Sequence, residues 1–89
     1  MRHATPVTLD ELEPLLDTLR RLPALKEKNR GTFYRGSKAF LHFHEDAAGL
    51  FADVRFDGAD FERCRVSTKK EQSDLVRRVK AALPPPGAS

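Results

Sequence analysis

The chain has 89 residues, 39% apolar and 33% charged, with 16 Lys+Arg against 13 Asp+Glu and so a net charge of only +3. That length allows one compact domain, expected over 1–89 with an ordered core at about 8–83 and a flexible tail at 84–89. The lone cysteine, Cys64, excludes an internal disulfide. No run approaches the roughly 20 apolar residues of a membrane span, and no signal-peptide pattern follows Met1, so the expected setting is cytoplasmic with no membrane partner.

Thr8-Leu9-Asp10-Glu11 fits a capping box, in which a hydroxyl covers free helix amides and a Glu reaches back to the cap. Leu9, Leu12, Leu15, Leu16, Leu19 and Leu22 follow at helical spacing. Pro14 interrupts this pattern. Either the helix kinks there, or a first turn ends and the main helix begins near Pro14. Pro23 stops it. Residues 26–31 contain no apolar member and read as a basic connecting loop.

The period then changes to two. Residues 32–35 form a short strand, and Gly36-Ser37 suits a tight hairpin turn with Gly first. Residues 38–44 form the next strand, with Ala39, Leu41 and Phe43 on one face and Lys38, Phe40, His42 and His44 on the other. Residues 50–56 alternate cleanly, placing Leu50, Ala52, Val54 and Phe56 on the core face and Phe51, Asp53 and Arg55 opposite. A fourth strand at 61–66 has no clear core face. Thr68-Lys69-Lys70-Glu71 is a second capping box, opening a helix with Leu75, Val76, Val79, Ala82 and Leu83 as its stripe. Pro84-Pro85-Pro86 ends it. The expected architecture is α+β, order α-β-β-β-(β)-α, with two helices on one face of a three- to four-stranded antiparallel meander.

Candidate chemistry falls into four groups. Lys26, Lys28, Arg30, Arg35 and Lys38, interleaved with Phe33, Tyr34 and Phe40, suit phosphate neutralisation and base stacking. Phe40, His42, His44, Phe51, Asp53 and Arg55 share the open sheet face and suit a protein partner. His42 and His44, two apart in a strand, lie on one face about 7 Å apart. With Glu45, Asp46 or Asp53 they offer a metal pair, which falls short of a zinc motif. Cys64 has no glycine-rich turn around it to support nucleophilic catalysis and reads as a packing residue. Nucleic acid ranks first, a protein partner second and metal last. No enzyme activity, cofactor or metal is expected.

Leu22-Pro23-Ala24-Leu25 after a helix, followed by Phe33-Tyr34-Arg35-Gly36-Ser37-Lys38-Ala39-Phe40, resembles the MmcQ/YjbR-like small bacterial proteins over most of residues 8–83. The resemblance implies a frataxin-like plan, helices on one face of an antiparallel sheet, and a DNA-binding role. The chain lacks the acidic first helix and the tryptophan of an iron-delivering frataxin. Phe40-Leu41-His42-Phe43-His44-Glu45-Asp46 is an alternative family signature.

Overall fold

The computed structural model describes residues 2–84. Two residues, Arg2–His3, form a first strand (β1), and a helix (α1, Pro6–Glu11) follows at once. Its cap is Thr5, not the expected Thr8. The Thr5 hydroxyl accepts from the Thr8 amide at 3.3 Å, and Pro6 occupies the first turn, where its missing N–H is not needed. Thr8 lies inside the helix and donates its hydroxyl to Glu45. Both threonines satisfy the local rules of a helix start. The distant carboxylate, which local sequence does not reveal, engages the second.

Pro14 begins a helix and does not kink one. A second helix (α2, Glu13–Arg20) starts after Leu12, with Pro14 in its first turn, and it ends before Pro23 is reached. Leu9, Leu12, Leu15, Leu16 and Leu19 are buried, and Leu22 packs partly against them.

The sheet is larger than expected. Strands β2 (Lys26–Asn29), β3 (Thr32–Arg35), β4 (Lys38–Asp46), β5 (Gly49–Val54) and β6 (Glu62–Arg65) lie in sequence order, antiparallel throughout, and β1 pairs with the second half of β4. The order is therefore β-α-α-β-β-β-β-β-α, with three helices among the described residues. Residues 26–29, expected as loop, are an edge strand whose register sets Lys26 opposite Tyr34 and Glu27 opposite Phe33. A charged edge strand carries no apolar alternation, and its charges discourage pairing with other chains. Gly31 closes the turn at φ 81°, and a Cβ there would stand 2.7 Å from Leu9 Cδ2.

Alternation in β4 also breaks once. Tyr34 pairs with Ala39 but Phe33 pairs with Leu41, so Phe40 is the extra residue of a β-bulge. Ala39 consequently shares a face with Tyr34, whereas Leu41 shares one with Phe33, correcting the expected Ala39–Leu41–Phe43 face. Phe40, expected on an open surface, is only 3% exposed and belongs to the core.

Phe33, Leu41, Phe43, Ala52 and Val54 form the buried face of the sheet, against the helical leucines. The ambiguous fourth strand resolves through its pairing. Cys64 stands opposite Ala52 and Glu62 opposite Val54, so both take the core-side face, and Arg63 and Arg65 take the other. Thr68 and Glu71 form the expected capping box at the start of α3 (Lys69–Ala82), which buries Leu75 and Val79, with Leu83 just beyond its end. The expected tail, beyond Pro84, lies outside the described residues.

Candidate metal centre

The face of β4 opposite Leu41 and Phe43 carries His42 and His44. Sheet register extends this face into a grid. One row runs His3, His44, Phe51, Arg65 across β1, β4, β5 and β6; the adjoining row runs His42, Asp53, Arg63 across β4, β5 and β6. The third histidine, His3, arrives because β1 pairs directly with β4.

Two interactions seat β1. The Ala4 amide donates to the Phe43 carbonyl at 3.2 Å, and Arg2 Nε donates to Glu45 Oε1 at 3.0 Å. Glu45 lies on the helix side and also accepts from the Thr8 hydroxyl. Its carboxyl is held below the usual range, chiefly by that hydroxyl and further by Arg2. The two-residue strand Arg2–His3 thus pairs Arg2 with Glu45 toward the core side and presents His3 on the open side.

His44 is packed against both other imidazoles, while the His3 and His42 rings lie 6.2 Å apart between centroids. His42 Nδ1 and His44 Nε2 are 2.8 Å apart. The His3 and His44 rings stack with centroids 4.8 Å apart, and His42 and His44 meet edge to face at 4.7 Å. One nitrogen from each of the three rings falls within 4.8 Å of the others. A tetrahedral ion with metal–nitrogen bonds of about 2.0–2.1 Å places its ligands about 3.3 Å apart, so modest side-chain rotation brings the set to coordinating distance.

Asp53 supplies a negative charge beside them. Its Oδ2 is 3.2 Å from His44 Nε2. Arg63 grips the same carboxylate with a two-pronged hydrogen bond, Nε to Oδ1 at 2.8 Å and Nη2 to Oδ2 at 3.0 Å. The Arg63 hydrogen bonds keep the Asp53 carboxyl below its ordinary range against the opposing effect of burial. His42 is also pushed down, first by burial and then by the neighbouring His44. It is therefore neutral near pH 7, the form in which imidazole ligates metals. Phe61 borders the cluster, its ring 4.8 Å from that of His42.

The other expected site residues are dispersed. Arg30 sits at one end of β3, bound to Asp10 and Glu13 at 2.7 and 2.8 Å, and Arg35 and Lys38 face each other at the opposite end. Lys28 Nζ lies 4.3 Å above the Tyr34 ring, and Phe33 is fully buried. Of the expected partner-binding face, His42, His44, Phe51 and Arg55 are half-buried, but Phe40 and Asp53 are buried. Cys64 receives a 3.4 Å contact from Arg78, and burial pushes its thiol up, away from the reactive thiolate.

Sequence reasoning missed His3. A two-residue strand has no alternation to read. The available signal was Thr5-Pro6, a cap followed by proline at the first helical position, which would have left residues 2–4 free to pair with the sheet. No known protein family, curated protein or solved structure matches the chain.

Proposed function

We propose that this protein is a metal-ion-binding domain whose ligands are His3, His42 and His44, with Asp53 as the adjoining anionic group. The observation that carries this reading is the convergence of three imidazoles, with His3 standing 39 and 41 positions before His42 and His44, on one small volume. Among themselves the neutral rings make one hydrogen bond, between His42 Nδ1 and His44 Nε2 at 2.8 Å. They would repel if protonated, and a shared cation turns their convergence into binding energy. A nitrogen-rich set favours copper, nickel or zinc over calcium or magnesium. Three protein ligands leave a position for water or a further ligand, and His3 is open to solvent.

The test is calorimetric titration of the metal-free protein with zinc and nickel, paired with His3→Ala, His42→Ala and His44→Ala. One equivalent should bind, and each substitution should weaken binding at least tenfold. An absence of stoichiometric binding, or equal binding by the three variants, overturns the reading. The nucleic-acid reading through Lys26, Lys28, Arg30, Arg35 and Lys38 has weaker support. Arg30 is neutralised by helix carboxylates, and of the three associated rings Phe33 and Phe40 are buried. The open-face protein partner loses Phe40 as an anchor for the same reason.

A further inference from the structure

Where β3 turns into β4, the facing ends of these strands and the segment after β5 flank an open cleft of about 210 Å³. Arg35, Lys38, Ala39, Phe40, Arg55 and Gly58 line it, giving three cationic side chains and no carboxylate. None of the three cations takes part in an ion pair among the described residues. Most other arginines do so, including Arg2, Arg20, Arg30, Arg63, Arg65 and Arg78. The three cations sit together with no carboxylate among the lining residues, and Arg35 donates to the Ala82 carbonyl at 3.5 Å.

Two details of this cationic cluster bear on what it could bind. Arg35 and Lys38 are direct cross-strand partners, and like charges placed opposite each other are destabilising. Arg55 Nε is buried and has no hydrogen-bond partner. A buried N–H without an acceptor forgoes the hydrogen bond it would make in water. Arg55 is nonetheless held in place. Its backbone amide donates to the Phe40 carbonyl at 2.8 Å, and its guanidinium stacks 4.3 Å over the Phe61 ring. One bound anion would offset the like charges of Arg35 and Lys38 and the guanidinium of Arg55, whose buried Nε it does not reach directly.

We propose that this cleft is an oxyanion site that takes a phosphate group. Guanidinium forks match tetrahedral oxyanions in geometry as well as charge. The volume accommodates one phosphate group with a few waters, and is too small for an entire nucleotide to be engulfed. The group can belong to a free phosphate monoester or to a nucleic-acid backbone, since both offer the same oxygens. Its lining residues are distinct from the three histidines, although Phe61 touches both His42 and Arg55 and so links the two sites.

The experiment is a titration of the full chain with inorganic phosphate, followed by nitrogen–proton correlation spectra that include the arginine side-chain region. Sodium chloride at matched ionic strength is the control. Saturable shifts at Arg55 Nε and the Gly58 amide are expected with phosphate and not with chloride. Arg55→Gln should weaken binding about tenfold, the loss expected for one charge-assisted hydrogen bond. Lys38→Gln, at an exposed position, supplies the same readout if the Arg55 variant does not fold. Linear shifts, shifts equal to those with chloride, or unchanged affinity in the folded variants overturn the proposal. A short single-stranded oligonucleotide and a mononucleotide, run in parallel, distinguish the sources. Tighter binding of the oligonucleotide, with a salt dependence reduced by Arg55→Gln, assigns the site to a nucleic-acid backbone. Equal binding of the two assigns it to a small phosphate ester.

Discussion

Asp53 has two neighbours with different needs. Arg63 neutralises it through two hydrogen bonds, while His44 approaches its Oδ2 at 3.2 Å. A carboxylate that accepts from one imidazole nitrogen orients the ring and raises the basicity of the other nitrogen toward a metal. Asp53→Asn keeps the shape but removes the charge. It is expected to lower zinc affinity about 10- to 100-fold, as loss of an outer-shell partner generally does, while the chain stays folded. Calorimetry on the variant reads this directly, and affinity equal to that of the parent would assign Asp53 to Arg63 alone. Acid should oppose binding in the same assay, because each imidazole must give up its proton to ligate. His42 and His44 were legible in the sequence because β4 alternates, and Asp53 because β5 does. His3 was not, since its place depends on pairing across 41 positions with His44. Local periodicity carries no information about such a partner.

Among the elements, β2 shows why some strands escape a reading by hydrophobic pattern. Lys26–Asn29 has no apolar residue, and its attachment is polar. Glu27 accepts from Arg20 Nε at 2.6 Å and Nη2 at 3.1 Å, and from the Gly31 amide at 2.8 Å. Burial acts to raise the Glu27 carboxyl, but Arg20 and the Gly31 amide outweigh it and the net shift is downward. A carboxyl depressed in the folded state contributes stability above its unfolded pKa of about 4.3, and that contribution is lost as pH falls through the folded value. Glu27→Gln should therefore destabilise the protein at pH 7 and flatten the loss of stability below about pH 4, as measured by urea unfolding over a pH series. By contrast α3 was legible almost to the residue, because Thr68 and Glu71 satisfy each other locally at 2.9 and 3.1 Å. Thr68→Ala removes that cap and should cost about 1 kcal/mol. Gly31→Ala should cost about 1–2 kcal/mol from its left-handed backbone alone, with the Leu9 contact added. The bulge at Phe40 was the other illegible element, since an inserted residue appears in the sequence as unbroken alternation.

At the scale of the whole molecule, β1 is weakly attached and yet completes the proposed centre. The buried core draws its residues from Leu9 onward, and β1 contributes none. Removing residues 1–3 should therefore leave the helices and the five-stranded path intact, while taking away His3 and the Arg2–Glu45 bond. A ligand that binds only the folded state raises stability by about 2.7 kcal/mol at a hundredfold excess over its dissociation constant. For a domain of this size each kcal/mol is worth about 4–8 °C. Zinc at such an excess should raise the melting temperature of the full chain by at least about 10 °C, reversibly on chelation. The truncated chain at the same zinc concentration should gain only a small part of that shift, because two imidazoles bind far more weakly than three. Calorimetric melting of both chains, with and without zinc, measures the difference. An equal gain in both would show that His42 and His44 bind without the N-terminal strand. A gain confined to the full chain would show that the ion also fastens β1 to the sheet, since a ligand held by His3 and β4 together favours the paired state over the frayed one.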